Sequence, residues 1–428
     1  MAALVTDNSD TARNDTDGPY VLILHTITKP SDPGVNDHTS EYRYCLVEFA
    51  DRLVASRVQG SVLTSAGLST SRAGHAVVLV NPFSGTHKSL SSWREVVRPM
   101  LDIAGVTYNV VETTHKGHAA EVAQTLDIEQ TRAIITVSGD GLLHEVMNGL
   151  ARHTADPEKA LRTIPLGAVP CGTSNGIAKS VHSASVHLAT FAAIRGHTIP
   201  LDVMQTTDWT GRTELCNLTI LWGLIADVDI ESEYIRWAGF TRNYLWAIVR
   251  ILALRRYYGK LHYYSAEQSV PSNASIVDKI DISNGVSQLP DGWHTVDADR
   301  FTFVAAMNLP FLAEDAVLSP RETPSSGTLD LVWAGPDITR LDVLGLLVDN
   351  DNAKRIGVGP IKLQSVRAFI LEPLGLESPA VDPARFGQDR SCGILDFDGE
   401  EVPCGPIKVE VLPGHVQLLV PPWYTSGN

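Results

Sequence analysis

The sequence predicts an α/β N-terminal domain built on a parallel sheet, followed by a C-terminal antiparallel β-sandwich domain. Three features of the chain lead there. Between residues 74 and 202 short apolar runs alternate with stretches of helical spacing, the pattern of a parallel sheet with crossover helices. Three of those runs end in glycine-rich turns, where open α/β sheets bind their ligands. Across 203–428 the texture changes to short β-rich segments separated by turns, the pattern of a sandwich.

Residues 1–18 are polar and acidic and read as a disordered tail. The extension over 19–73 holds two apolar runs, PYVLILHTI and EYRYCLVEFADRLV, with strand character and no chemistry of their own. HAVVLV (75–80) is a continuous apolar run, a buried-strand signal, followed by NPFSGTHKS and a helical pattern through Trp93, Val96, Val97 and Met100. TYNVVET (107–113) is the next strand and HKGHAAEVAQTLD the next helix. AIITV (133–137) leads into SGDGLLHEVMNGL, and TIPLGAVP (163–170) into CGTSNGIAKSV. In the second domain LCNLTILWGLIADVD, GKLHYYSA, FTFVAAMN, TLDLVWAG, SVRAFILEP, ILDFDGEEV, IKVEVLP and HVQLLVPP read as β-rich segments, interrupted by one helix within 241–259.

The chain has 428 residues, 44% hydrophobic and 19% charged, an ordinary globular composition able to bury a large core. A net charge of −15 argues against a general nucleic-acid binder. Five cysteines without a CxxC spacing imply neither a disulfide framework nor a zinc site and fit a reducing cytosol. The N-terminus lacks the basic and apolar regions of a signal peptide, and no run is long enough to span a bilayer. The expectation is a cytoplasmic protein, at most peripherally bound to intracellular membranes.

The turns carry the chemistry. A strand-to-helix loop points backbone N–H groups and the positive end of the helix dipole at an anion. In SGDG, Gly139 and Gly141 permit unusual backbone angles and close ligand approach. Asp140 between them is repelled by phosphate unless it holds a metal or takes a proton from a nucleophile; the bland alternative is a tight turn with Asp as a helix cap. Asn81 and Gly85 in NPFSG, and Gly172, Thr173, Ser174 and Asn175 in PCGTSNG, offer further donors. The order of these turns matches neither the Walker A pattern nor GxGxxG.

At these residues the chain resembles the sphingosine (long-chain-base) kinases, within the diacylglycerol-kinase-like lipid kinases. The resemblance runs over roughly 74–424 and rests on SGDGLLHEVMNGL, on WGLIADVDIESE (222–233) and on the D-G-E turn of LDFDGEEV (395–402). It implies a nucleotide cleft between the two domains, lined by Asn81, Pro82 and Phe83, by Thr113, Thr114, His115, Lys116 and Gly117, and by Ser138, Gly139, Gly141 and Glu145. Gly172, Thr173, Ser174, Arg236, Arg242, Asp398, Gly399 and Glu400 complete that set. It implies Asp140 as the base for the lipid's primary hydroxyl, and Asp229 as the head-group anchor, with Ser138, Gly139, Gly141, Leu224 and Ile225 also beside the lipid. ATP and Mg2+ are the implied cofactors; metal ligands are not assigned. The implied activity is phosphorylation of a sphingoid base to its 1-phosphate. Diacylglycerol or ceramide kinase, an NAD kinase and a catalytically inactive lipid-binding scaffold are the alternatives.

Several residues have competing readings. A carboxylate such as Asp229 at the edge of an apolar run is costly unless it meets a cation, which an ammonium-bearing lipid supplies; Asp227 competes for that role. The stretch 234–260 holds Arg236, Arg242, Arg250, Arg255, Arg256 and Lys260, several aromatics and no acid, which suits an anionic membrane surface. Its apolar residues Leu245, Ile248 and Leu252 are expected to pack on the sandwich. Ser174 stands where the family usually has glycine. Cys171 reads as a small buried hydrophobe. Asp330 resembles a metal-structural Asp of bacterial relatives, or is a turn residue, and His144 reads as a packing histidine.

Overall fold

The computed structural model describes residues 2–6, 20–27, 42–49, 74–84, 88–235, 241–268, 275–313, 316–321, 323–348, 355–376, 386–387 and 390–424. Ala2–Thr6, within the stretch expected to be disordered, is a strand paired antiparallel with Tyr20–Ile27, which pairs in turn with Tyr42–Phe49. The two apolar runs of the extension supply the second and third strands.

The first domain has the expected parallel sheet. Its strands lie in the order Leu166–Pro170, Thr131–Ser138, His75–Val80, Tyr108–Glu112, all parallel. His75–Val80 is followed in sequence by its neighbour on one side and then by its neighbour on the other. The sheet therefore reverses direction of growth there, and the crevice beyond the strand ends lies at that point. The helix Asp140–Leu150 buries Leu142, Leu143, Val146, Met147 and Leu150 against this sheet. Full burial of each such side chain contributes roughly 1.5–3 kcal/mol. Gly149 lets the helix touch His118–Gln124: a Cβ there would lie 2.5 Å from the Ala120 carbonyl oxygen.

The second domain is strand-rich and antiparallel as expected. The strands run Leu395–Phe397, Thr219–Gly223, Phe303–Met307, Leu329–Ala334, Ile361–Gly375, Ile407–Leu419. Trp222, Tyr257, Phe301 and Phe369 fill the space between its layers. Two expectations fail. IADVD is not strand: Leu224–Ser232 is a helix, started by Gly223 at φ +82°, where a Cβ would meet the Thr302 carbonyl at 2.7 Å. A third helix, Arg340–Val348, joins it and Arg242–Leu252 over one sheet face, covering Leu221, Phe303 and Val332. The helical segments were obscured because their buried faces are short and their apolar residues are not confined to them.

The helix Arg242–Leu252 is inverted relative to expectation. It buries Arg242, Ala247, Arg250 and Ile251, while Leu245, Ile248 and Leu252 are exposed, Leu252 by 69%. Ion pairs explain the inversion: Arg250 meets Glu231 in a buried pair and Arg242 meets the half-exposed Glu233, both acids on or just after the Leu224–Ser232 helix.

The halves are joined by strands. Thr198–Asp208 runs across position 202 and pairs along Ile407–Leu419, whose far end meets Leu166. Val416, Leu418, Val420 and Tyr424 thereby enter the first domain's core. Among the described residues no helix is long and apolar enough to cross a membrane.

Candidate active site

The carboxyl ends of the parallel strands and the near edge of the second domain enclose a cleft of about 570 Å³. The three glycine turns meet on its floor. Gly139 and Gly172 are in backbone contact: a Cβ on Gly172 would lie 2.3 Å from the Gly139 Cα. Gly139 itself is extended, at φ −82° and ψ −175°, so close approach rather than an unusual backbone angle requires glycine there. The Gly139 N–H donates to Ser84 Oγ at 3.0 Å, tying in the first turn, and Asn81 Oδ1 accepts from the Phe83 N–H at 3.0 Å. In the third turn Asn175, at φ +52°, closes the loop with bonds to and from Gly172 of 2.9 and 3.0 Å.

Asp140 is the first residue of its helix and is buried at the cleft wall. Its carboxylate does not cap that helix. It accepts from the Gly176 N–H at 2.7 Å and the Ile177 N–H at 3.2 Å, at the start of the neighbouring helical turn Gly176–Ser180. The acid between two glycines thus has a structural task, locking the second turn to the third, and these bonds also fix the direction of a carboxylate that faces the cleft.

His144 and Asn148, one turn apart on the same helix, clamp the second domain. His144 Nδ1 lies 2.8 Å from Asp398 Oδ2 and Nε2 lies 3.1 Å from Glu214 Oε1. Burial alone would push this imidazole down, but the bonds to Asp398 and Glu214 outweigh it and raise the group to about 10. It is a buried imidazolium held between two carboxylates. Asn148 pairs with the backbone N–H and carbonyl of Leu215. His144, Cys216 and Asp398 are close enough to suggest a metal site. Both His144 nitrogens already meet carboxylates, however, and burial with nearby acids raises the Cys216 thiol well above its usual range.

Asp398, at φ +51°, turns its carboxylate away from solvent to accept from His144 and from the N–H groups of Asn217, Leu218 and Thr219, at 2.8–2.9 Å. It holds the D-G-E turn in place at the cleft edge. Glu400 then reaches across the opening to Lys116, pairing the two domains at the surface.

Asp229 lies on the cleft wall, with its Oδ2 3.8 Å from where a Gly399 Cβ would stand. Burial raises its carboxyl, Asp396 and Arg242 pull it down, and Glu233 and Glu400 push it up. Asp227 faces inward instead. It accepts from the Tyr257 hydroxyl at 2.6 Å, lies near Arg250 and Arg255, and is pushed up to about 6 chiefly by burial. Of the two competing acids, Asp229 is the one on the cleft.

Most of the anticipated residues line this cleft: Asn81 and Phe83; Thr113, His115 and Lys116; Ser138, Gly139, Gly141 and Glu145; Gly172, Thr173 and Ser174; Asp229, Arg242, Asp398, Gly399 and Glu400. Some anticipated residues do not line it. Pro82 lies in the first turn beside it. Thr114 bonds to the rings of His115 and His118, and Gly117, at φ +89°, starts the helix His118–Gln124. Leu224 is buried in the core beneath the helical layer and Ile225 packs against it, so neither faces the cleft. Arg236 lies outside the described residues. Asp330 is a partner of Ser319 and Arg321. Cys171 is buried and its thiol is raised by burial. Sequence reasoning missed Ser84, which was present in NPFSG as a small hydroxyl beside the turn, and Asp396, hidden in LDFDG by its strand setting.

A parallel-sheet domain and a strand-rich domain, with glycine turns meeting in a cleft between them, define a lipid kinase of the diacylglycerol kinase type. The diacylglycerol kinase catalytic domain model matches residues 75–206. The fold is shared with a solved structure of a putative diacylglycerol kinase from Bacillus anthracis str. Sterne, at TM-score 0.57 and 18% identity over 83% of this chain and 98% of that one. In sequence the chain is 33% identical to sphingosine kinase 1 of Arabidopsis thaliana over 351 residues, 78% of this chain and 69% of that one. It is 27% identical to sphingosine kinase 1 of Homo sapiens, over 82% of this chain and 90% of that one. The chain belongs to the sphingosine kinase family.

Proposed function

We propose that the protein transfers the γ-phosphoryl group of ATP to the primary hydroxyl of a sphingoid long-chain base, giving the 1-phosphate and ADP. The observation that carries this reading is Asp229, a partly buried carboxylate on the wall of the cleft that also holds Asp140 and the three amide-rich turns. A neutral lipid has no cation for it. A sphingoid base has an ammonium two carbons from its hydroxyl, so Asp229 binding the one brings the other toward the nucleotide. The relatives named sphingosine kinase support the same substrate class.

The turn amides of Ser138–Gly141 and Gly172–Ser174, with Lys116 and Arg242, cradle the phosphates. Phe83, 61% exposed on the cleft rim, offers a face to the base. Asp140 accepts the hydroxyl proton as the oxygen attacks the γ-phosphorus and the bond to the β-phosphate oxygen breaks. Mg2+ fits this lining, since Glu145 Oε2 is buried at the cleft without a protein partner. Bound with ATP, the ion neutralises charge on the phosphates.

The protein also docks on a membrane surface in this reading, through the exposed apolar faces of two neighbouring helices: Leu245, Ile248 and Leu252 on one, Leu341 and Leu344 on the other. The basic stretch contributes little to this surface, because Arg250 is buried against Glu231, Arg255 faces Asp227 and Glu231, and Arg256 bonds the carbonyls of Pro336 and Ile338. Labelled ATP offered with sphingosine, dihydrosphingosine, phytosphingosine, diacylglycerol and ceramide tests the assignment. Transfer to the free bases supports it, and transfer only to the uncharged lipids rejects it.

A further inference from the structure

Asp396 is the least solvated acid near the cleft. It lies at the centre of the strand Leu395–Phe397, opposite Leu221, and is 0% exposed. One oxygen, Oδ1, accepts from the Gly399 N–H at 2.7 Å. The other, Oδ2, is buried and meets no N–H or O–H donor of the protein. The Asp229 carboxyl is its neighbour: Asp229 Oδ2 lies 3.8 Å from where a Cβ on Gly399 would stand, and Gly399 is the residue whose N–H Asp396 holds. Two carboxylates cannot face each other in this setting with both charges present; a buried acid with one amide donor is already costly as an anion.

We infer that Asp396 is a neutral carboxylic acid that donates its proton to Asp229, and that this bond positions Asp229 to select ammonium-bearing lipids. Asp229, at the cleft, keeps the single negative charge, which matches one ammonium. Asp396, behind it, keeps the proton. Arg242 and Asp398 favour this division, and Glu233 and Glu400 oppose it. Arg242 favours charge on Asp229, while Asp398 and Asp229 both disfavour it on Asp396, whose carboxyl lies well above the usual range chiefly through burial; Glu233 and Glu400 add negative potential on the Asp229 side. Asp396 acts through Asp229 and is a positioning residue. The inference rests on the proposed role of Asp229.

Two variants and one spectrum test it. Asn is nearly isosteric and can donate an N–H where Asp396 donates its O–H. Asp396→Asn is expected to keep KM for sphingosine within about threefold, whereas Asp396→Ala raises it about tenfold or more with a smaller change in kcat. An infrared comparison of ligand-free wild type with Asp396→Asn at neutral pH should show a protonated-carboxyl carbonyl band lost in the variant. A wild type lacking that band overturns the inference whatever the substrate. A loss of sphingosine affinity in Asp396→Asn as large as in Asp396→Ala also overturns it, because the bond from a neutral donor is then not what matters. A wild type that shows the band but never phosphorylates a sphingoid base rejects the proposed function, and with it the selection of ammonium, while leaving the neutral acid standing.

Discussion

Gly139 and Gly172 touch backbone to backbone, joining the second and third glycine turns without a side chain between them. Ser84 and Asp140 complete the junction, one accepting from Gly139 and the other from Gly176 and Ile177. The floor of the cleft is therefore one hydrogen-bonded unit assembled from three separate loops.

Gly172→Ala should break this unit. Its Cβ would fall 2.3 Å from the Gly139 Cα, and backbone atoms cannot swing aside. Overpacking of this kind costs about 1–3 kcal/mol. Urea unfolding should show that loss, together with a weakened affinity for ATP. Gly139→Ala, with 3.1 Å of clearance, should be milder.

Asp140→Asn removes a proton acceptor and sets an amide N–H against one of two backbone donors. A kcat reduced by about 10²–10⁴ is expected from loss of the base. Turnover within about tenfold of wild type would leave Asp140 with its locking role alone. Asp140→Ala, compared by thermal unfolding, measures that locking role separately.

His144 gives a pH dependence of stability with a defined sign. Its folded value of about 10 lies above the ordinary 6.5, so its contribution is complete below 6.5 and is lost as pH rises through 10. The stability gap between wild type and His144→Gln should be widest in mildly acidic solution and shrink steadily toward pH 10. Denaturant titrations across that window provide the measurement. A gap independent of pH would contradict the buried imidazolium.

Lys116 and Glu400 form a bridge whose side chains are largely exposed, so it should add little to stability, under about 1 kcal/mol. Lys116→Ala should leave the unfolding midpoint nearly unchanged while raising KM for ATP, because in the proposed reading the ammonium leaves Glu400 for the phosphates. A shifted midpoint with an unaltered KM would make it a structural latch.

Ile248→Glu with Leu252→Glu places charge on the exposed apolar face without touching the cleft. Binding to anionic vesicles should fall about tenfold or more, with turnover of detergent-dispersed lipid preserved. Undiminished vesicle binding would move the membrane contact elsewhere.

The sheet and the three turns were legible because their signals are local. A continuous apolar run, a glycine pair and a helical repeat lie within a few residues of one another. The helix Leu224–Ser232 was not, because WGLIADVD is apolar enough to read as a strand until Gly223 turns the chain. The direction of Arg242–Leu252 was also hidden. Its arginines face inward only because Glu231 and Glu233 wait on another element, and no spacing within the helix reveals that. Asp140 and Asp398 were legible as acids near a cleft, but their amide partners come from segments 36 and 181 residues away. Asp396 was invisible for the same reason: its partner Asp229 belongs to a distant helix.

The strand Ile407–Leu419 and the residues just beyond it put Val416, Leu418, Val420 and Tyr424 inside the parallel-sheet half of the molecule. That half lacks part of its interior until residues 416–424 are in place. Trimming the chain back to 415 would thus damage the parallel-sheet domain, far earlier in the sequence than the cut.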